Sequence, residues 1–403
     1  MERDEYDYIR DASQRRILEV SMGLRRFLEK KIDWRDRLIA ILGSRGTGKT
    51  TLILQHIRES FDVDPDRALY VSMDHLWFET HKLTELVDFH YKNGGTHVFI
   101  DEIHYLENWQ RILKNLYDEY PALNIVYTGS SLLKIEADHG DLSRRQIVYH
   151  LPGLSFREYL YFEGLKEIDP ISLSVLIKDH VKIATKILGD IRILKHFSDY
   201  LKDRYYPFYK EVYAGYGIRL SQITNQILES DYPAVESISY SSIQKIKKML
   251  YILAQTCPQT PNMSELYSQL DTDRNQGIKM LYILERANLI NLLSSEKASF
   301  KTMSKPNRIY CDNTNIMYSL AEEINTGTKR ETFFLNQLRS AGHVVTYPKQ
   351  GDFMVDGKYL FEVGGKTKSF DQIKDIPDSF LAIDDVEIGC GNKLPLWMFG
   401  LLY

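Results

Sequence analysis

The sequence predicts an α/β fold: a parallel sheet with helices on its faces, followed by a helical region and two smaller modules. Three observations predict it. From about Asp36 to His150, short apolar runs alternate with longer stretches of helical spacing, as in a parallel sheet covered by helices. The first of those runs ends in a glycine-rich loop closed by Lys49-Thr50. After Pro152-Gly153 the spacing becomes helical, interrupted at Pro170, Gly189 and Pro207, and strand-like residues return only near Tyr359–Val363.

Taken in order, Arg15 to Ile32 predicts an amphipathic helix, because Ile17, Leu18, Val20, Met22, Leu24, Phe27 and Leu28 recur near helical spacing. The expected strands are Leu38–Leu42, Ala68–Ser72, His97–Ile100, Ile125–Thr128 and Gln146–His150, mostly rich in Ile, Val, Leu or Tyr. Helices are expected from about Phe156 to Leu228. A third unit is expected from about Ser241 to Glu323 and a fourth from about Thr328 onward. No internal repeat or low-complexity tract is present.

Composition narrows the function classes. In 403 residues, 26% charged, 51 Lys+Arg stand against 55 Asp+Glu, so the chain is not a uniformly basic nucleic-acid binder, although a local basic face is compatible with it. Three widely spaced cysteines, Cys257, Cys311 and Cys390, exclude a disulfide scaffold and a Cys-based zinc ribbon. The 11 histidines form no HExxH or other metal pair. The charged start Met1-Glu2-Arg3-Asp4-Glu5 and the lack of long apolar runs predict a cytoplasmic chain with no membrane partner.

Gly43-Ser44-Arg45-Gly46-Thr47-Gly48-Lys49-Thr50 fits G-x-x-x-x-G-K-[ST] in full, with an apolar strand before it and the helix-like run from Thr51 to Ile57 after it. Such glycines let successive backbone N–H groups turn toward one centre, where the new helix adds its positive end, making an anion hole for a β-phosphate. Lys49 would reach the β- and γ-phosphates, and the Thr50 hydroxyl would hold Mg²⁺. Val98-Phe99-Ile100-Asp101-Glu102 is an apolar strand ending in two carboxylates. Asp101 suits the Mg²⁺ shell, and Glu102 suits a general base for the attacking water. Thr128-Gly129-Ser130-Ser131 ends the next strand, where Ser130, or alternatively Thr128, would sense the γ-phosphate. ATP and Mg²⁺ are therefore the expected cofactors.

With these motifs placed, the chain from roughly Arg15 onward resembles the AAA-like P-loop ATPases of bacteria and archaea that carry a C-terminal nuclease-like domain. The resemblance rests on Gly43-Ser44-Arg45, Asp101-Glu102-Ile103-His104, Asn108-Trp109, Thr128-Gly129-Ser130-Ser131 and Leu142–Arg145. Leu154-Ser155-Phe156-Arg157-Glu158-Tyr159, Ile309-Tyr310-Cys311-Asp312 and Glu331-Thr332-Phe333 continue it. It implies an N-terminal helical segment (1–35), an ATPase core (36–160), a helical lid (161–238), a winged helix (239–325) and a restriction-endonuclease-like end (326–403). It also implies a role for Arg145, with Arg144 standing where relatives carry glycine. An arginine there would neutralise γ-phosphate charge, either in its own chain or in a neighbouring copy.

Two later segments carry weaker chemistry. Met263–Tyr267, Asp271–Arg274 and Ile278–Leu289 read as helix, turn, helix, and a wing-like hairpin could follow at Leu292–Tyr310 with Lys297, Lys301, Lys305 and Arg308. Residues 241–310 hold ten Lys+Arg against five Asp+Glu, which suits phosphate contacts and makes DNA a candidate partner. Met280, Leu281, Ile283 and Leu284 are core-like, which favours an interdomain or protein-binding winged helix. Restriction-like nucleases use an Asp, a Glu about ten residues on and a Lys two positions after the Glu, on one strand face. Asp352 and Glu362 have that spacing, and Glu331 is a candidate upstream acid. Gly364 occupies the lysine position, however, and Lys366 lies two residues farther. The sequence thus predicts a degenerate site and a remnant fold used for docking. Lys202–Lys210, aromatic and basic, reads as a lid hinge before a nucleic-acid stacking surface.

The reading that joins these motifs is Mg²⁺-dependent ATP binding and hydrolysis that repositions the appended modules. Its rivals are an ATP-gated DNA- or protein-binding switch with little turnover, and a DNA-acting nuclease.

Overall fold

A computed structural model describes residues 1–130, 142–189, 191–212, 214–235, 238–256, 262–295 and 306–403. The chain divides into two compact units, Met1–Pro152 with Ser230–Ser237, and Gly153–Glu229 with Ile238–Tyr403. The five segments expected from the sequence are grouped differently: the helices after Gly153 belong with everything that follows Ile238.

The first unit contains α1 (Arg3–Glu19), β1 (Leu38–Gly43), α2 (Lys49–Ser60), β2 (Ala68–Ser72), α3 (Leu83–Lys92), β3 (His97–Asp101), α4 (Trp109–Glu119), β4 (Asn124–Ser130) and β5 (Ile147–His150). All five expected strands are present. Their order is β2-β3-β4-β1-β5, and every pairing is parallel. β1 is buried throughout, as a central strand covered on both faces should be. Leu38, Ala40 and Leu42 face one apolar cluster with Val98, Ile100 and Ile125. Ile39 and Ile41 face the other, with Leu52, Ile53 and Phe99. Alternation along a single strand thus supplies both layers of the core.

The first helix departs from expectation. It begins at Arg3, where Glu2 and Glu5 form a reciprocal capping box, and it buries Tyr6, Ile9, Ser13 and Ile17 at helical spacing. It stops at Glu19 because α2 captures the carbonyls that would continue it. Arg58 donates to the Val20 oxygen at 2.7 Å, and Gln55 Nε2 donates to Ser21 and Leu24 at 2.6 and 3.0 Å. Of the expected continuation to Ile32, only the 3₁₀ turn Phe27–Lys30 is helical.

The second unit starts with α5 (Phe156–Phe162), α6 (Leu173–Leu188), α7 (Ile193–Asp203) and α8 (Tyr216–Gln226), separated where Pro170, Gly189 and Pro207 predict breaks. The chain then passes through the π-helical turn Ile227–Asp231 and returns to the first unit as α9 (Tyr232–Val235). Next come α10 (Tyr240–Thr256), α11 (Met263–Gln269), α12 (Arg274–Arg286), β6 (Ile290–Leu293), β7 (Arg308–Cys311), α13 (Thr314–Leu320) and α14 (Thr326–Ser340). β6 and β7 pair antiparallel. The chain ends with β8 (Val345–Thr346), β9 (Phe353–Val355), β10 (Tyr359–Gly364), β11 (Ser379–Ile383) and β12 (Lys393–Pro395), in a sheet ordered β12-β11-β10-β9-β8. β8, β9 and β10 pair antiparallel, whereas β10, β11 and β12 pair parallel.

A buried polar network joins the parts of this unit. Tyr200 Oη donates to Leu154 O at 2.6 Å, Asn315 Nδ2 donates to Tyr200 O at 3.1 Å, and Gln337 Nε2 donates to the Tyr200 and Tyr403 hydroxyls at 3.1 and 3.3 Å. Buried groups of this kind are stable only when paired, so each bond specifies which segments meet. Tyr205, Tyr206, Phe208 and Tyr209 are buried within the unit, so these rings pack its core and leave no stacking surface. Among the described residues, no helix is long and apolar enough to cross a membrane.

Candidate functional site

The site forms at the carboxyl edge of the parallel sheet. Register places Gly43 beside Ser130, and Ser72 beside Asp101. A loop leads from the end of β1 into α2 at that edge. Gly46 and Gly48 have φ of 83° and 91°, the left-handed region that glycine enters without strain. A Cβ on Gly43 would collide with the Leu151 carbonyl, so the loop can turn tightly against the end of β5 only with glycine at that position. The loop is braced from within. Thr47 Oγ1 donates to Ser44 O at 2.9 Å, and Arg26, unnoticed in the sequence, donates to Thr47 O and to Pro152 O, the latter at 2.8 Å. Ser44 is buried, and Thr51 is exposed in the first turn of α2.

Lys49 is buried, and its ammonium donates to Gly43 O at 2.9 Å and Ser44 O at 3.1 Å. Thr50 Oγ1 donates to Asp101 Oδ2 at 2.7 Å, which joins the two residues expected to share a metal. Tyr70 donates to the same oxygen at 2.9 Å, and Thr128 to Asp101 Oδ1. Neither hydroxyl bond was foreseen, although alternation along β2 and β4 puts Tyr70 with Ser72 and Thr128 with Ser130. Among the described residues, no three His, Cys, Asp or Glu side chains gather to hold a metal unaided. One hydroxyl with one carboxylate is the donor set Mg²⁺ takes when it keeps waters and phosphate oxygens, and the two are already in contact here.

Glu102 stands one residue beyond the strand with φ 51°, a left-handed conformation uncommon outside glycine. Its N–H donates to Thr128 Oγ1 at 3.1 Å. Burial pushes its carboxyl pKa up; Lys49 works against this and the Asp101 charge reinforces it. A carboxylate raised toward neutrality is a better proton acceptor from water.

His104, the last residue of the Asp101–His104 run, lies next to Glu102. His104 is fully buried, with Nδ1 3.3 Å from Glu102 Oε2 and Nε2 3.9 Å from Asp231 Oδ1; neither nitrogen makes a hydrogen bond. Burial pulls its pKa down to about 4, so the ring is neutral at pH 7. Asp231, 1% exposed, accepts from Arg45 of the phosphate loop at 2.9 Å. Tyr105 is partly exposed and hydrogen-bonded to Arg45, whereas Trp109 is buried against Tyr127.

Ser130 is buried at the end of β4; Ser131 lies outside the described residues. Arg145 is held on α4, donating through Nε and Nη2 to the two carboxylate oxygens of Asp118 at 3.0 and 3.1 Å, while Arg144 is exposed.

In the second unit, α11 and α12 follow helix, turn, helix, with Asn262 and Asp273 as N-caps. Met280, Leu281 and Leu284 are buried, while Arg274, Asn275 and Gln276 are exposed. Lys297, Lys301 and Lys305, like Cys257, lie outside the described residues. In the last sheet, Asp352 accepts from Val363 N–H at 2.9 Å, and Glu331, reaching over from α14, accepts from Tyr310 at 2.7 Å. Burial raises both carboxyl pKa values, Glu331 to about 7. Lys366 is exposed. The lysine bonded to Glu362, at 2.7 Å, is Lys368, which the chain brings back by turning at the strand end.

A family model described as an AAA domain matches residues 35–160. An uncharacterised protein of Methanocaldococcus jannaschii is 27% identical over 386 residues, covering 86% of this chain and 80% of that protein. A second from that organism is 23% identical over 365 residues, covering 84% and 74%. An uncharacterised protein of Haemophilus influenzae is 23% identical over 390 residues, covering 89% and 91%. Among solved structures, AMPPCP-bound DnaA from Aquifex aeolicus overlaps 73% of this chain and 91% of its own at 16% identity, with a TM-score of 0.25. PCH-2 of C. elegans overlaps 70% and 66% at 16% identity, also with a TM-score of 0.25.

Proposed function

We propose that the first unit binds Mg·ATP in the loop Gly43–Thr50 and hydrolyses it. The observation that carries this reading is the convergence, at one sheet edge, of the loop, the Thr50–Asp101 pair and the raised carboxyl of Glu102. Backbone N–H groups from Ser44 to Thr51 cradle the phosphates, and Lys49 exchanges its two loop carbonyls for β- and γ-phosphate oxygens. Bound magnesium supplies neutralisation of charge between those phosphates. Thr50 and Asp101 hold its position, Glu102 accepts a proton from the attacking water, and Ser130 orients the γ-phosphate. Arg45 and Asp231 link the loop to Ser230–Ser237, a segment flanked on both sides by residues of the second unit, so the nucleotide state has a route to the appended modules.

The same reading treats α10–α12 with β6–β7 as a winged helix. It treats α14 with β8–β11 as a nuclease-like fold, supported by two antiparallel pairings followed by a parallel one. DNA or a protein is the partner moved. The test is a pair of variants. Lys49→Ala should lose the calorimetric heat of Mg·ATP binding. Glu102→Gln should bind as wild type while turnover falls by about 100-fold or more. Wild-type turnover in both variants rejects the site.

A further inference from the structure

We infer that His104 is a positioning residue for ATP hydrolysis: its Nδ1–H anchors Glu102 Oε2, so that the other carboxylate oxygen stays turned to the attacking water. This rests on the reading of the first unit as an ATPase. The argument starts from burial. The His104 side chain is 0% exposed, and neither ring nitrogen has a hydrogen-bond partner. A buried polar atom left unpaired forfeits its solvation, so folds retain one where a function uses it. An imidazole holds two such atoms here. If this position only needed filling, an apolar side chain would fill it without that loss.

The backbone sets the ring beside the carboxylate. Glu102 joins β3 to the 3₁₀ turn Ile103–Tyr105 in its left-handed conformation, and Tyr105 N–H closes the turn on Glu102 O at 3.1 Å. The side chains of Glu102 and His104 thereby come together, with Nδ1 3.3 Å from Oε2. The ring has little freedom to leave. Tyr105 lies against it at a centroid separation of 4.4 Å, and α9 packs on the same turn.

Two carboxylates compete for the one N–H of a neutral imidazole. Asp231 Oδ1 is 3.9 Å from Nε2, and that same oxygen accepts from Arg45 at 2.9 Å, which offsets its charge. Glu102 Oε2 is closer to its nitrogen. Lys49 also attracts Glu102, but its ammonium is engaged by the Gly43 and Ser44 carbonyls. Repulsion between a lone pair and a carboxylate oxygen grows as the two approach, so it is worse at 3.3 Å than at 3.9 Å. The proton therefore belongs on Nδ1, and the lone pair of Nε2 takes the longer, better compensated contact with Asp231.

The Nδ1–Oε2 contact is within range but not aligned as a hydrogen bond. Catalytic hydrogen bonds are commonly long or poorly aligned before substrate binds and tighten in the complex. With Mg·ATP in the loop, Oε2 takes the His104 N–H and Oε1 faces the water. One water proton goes to Oε1 and the water oxygen bonds to the γ-phosphorus. The bridging oxygen leaves with ADP, and His104 keeps its own proton throughout. Its contribution is orientation: a carboxylate held at one oxygen presents the other in a single direction.

The experiment measures binding, turnover and ring protonation on the full chain. His104→Leu fills the space without a donor, whereas His104→Asn keeps an amide N–H near the place of Nδ1. By calorimetry both variants should bind Mg·ATP within about 2-fold of wild type. In steady-state turnover His104→Leu should lower kcat by about 10-fold or more with KM unchanged, and His104→Asn should recover most of that loss. In single turnover, adding His104→Leu to Glu102→Gln should cause no further loss, because the ring acts only through that carboxylate. A ring that merely packs would tolerate leucine better than asparagine, and its loss would add to that of Glu102→Gln. In protein labelled with ¹⁵N-histidine and free of nucleotide, the His104 signals, identified by their disappearance in His104→Asn, should show Nδ1 protonated and Nε2 bare. This spectrum decides the matter even where leucine prevents folding. Wild-type kcat in His104→Leu, additive losses in the double variant, or a proton on Nε2 overturns the inference while the nucleotide site stands. Wild-type turnover in Glu102→Gln is a separate result, which rejects the ATPase reading and the inference with it.

Discussion

Replacing Asp231 with alanine tests whether a residue far along the chain braces the phosphate loop. The Asp231 side chain is 1% exposed, and its partner Arg45 is 25% exposed across a 2.9 Å contact. Deleting the carboxylate leaves a largely buried guanidinium without its acceptor, a change that costs about 3–5 kcal/mol in a closed interior. Water still reaches part of Arg45, and Tyr105 remains bonded to it, which brings the expectation to about 2 kcal/mol. For a unit of this size that is a fall of about 4–8 °C in melting temperature. Asparagine should behave differently. Arg45 is raised by the pair, yet Asp231 is raised too, because its deeper burial and the Glu102 charge outweigh the attraction of Arg45. Of these opposed signals the Asp231 shift decides, since the less exposed partner loses more solvation. Asp231→Asn, which keeps an oxygen for Arg45 and removes the charge, should therefore cost less than about 1 kcal/mol. Differential scanning calorimetry of both variants, following the transition that Mg·ATP raises, provides the measurement. If alanine melts within about 1 °C of wild type, or if alanine and asparagine are equally harmful, the electrostatic account is wrong.

Three other outcomes follow from single sites. Ser155 is fully buried and caps α5 in a reciprocal box with Glu158, so Ser155→Ala should lower stability by about 1–2 kcal/mol in urea titration. A Cβ on Gly277 would overlap the Tyr267 ring, so Gly277→Ala should destabilise the α11–α12 pair, and Tyr267→Ala in the same chain should relieve it, as read by amide exchange across 263–286. His56 stacks on Trp34 at 3.6 Å, and burial pulls its pKa from 6.5 to about 4. Because the unfolded chain takes up this proton first, its contribution is present above about pH 6.5 and lost as pH falls toward 4. At pH 5 the loss reaches about 2 kcal/mol, and a chain carrying His56→Phe should lose correspondingly less between pH 7 and 5 in thermal melts.

The parallel sheet, the phosphate loop and the breaks between helices were legible because each has a local cause. An apolar run of five residues bounded by turn residues is a strand wherever it lies, and a glycine-rich loop between strand and helix turns its N–H groups inward. Proline and glycine stop helices through their own backbones. Asp101 and Glu102 were legible for the same reason, as carboxylates that end such a strand. The first helix was misread because its end depends on which carbonyls Gln55 and Arg58 capture, and periodicity among Val20, Leu24 and Leu28 carries no sign of that competition.

By itself, then, the sequence determined the elements and the chemistry each strand end carries. Only the tertiary structure decided which distant side chains meet: Asp231 with Arg45, and Asp118 with Arg145. Local conformation depends on a residue and its near neighbours, whereas these pairings depend on where a chain returns after many turns. Their worth is set by burial, which no single segment possesses before the rest has packed against it.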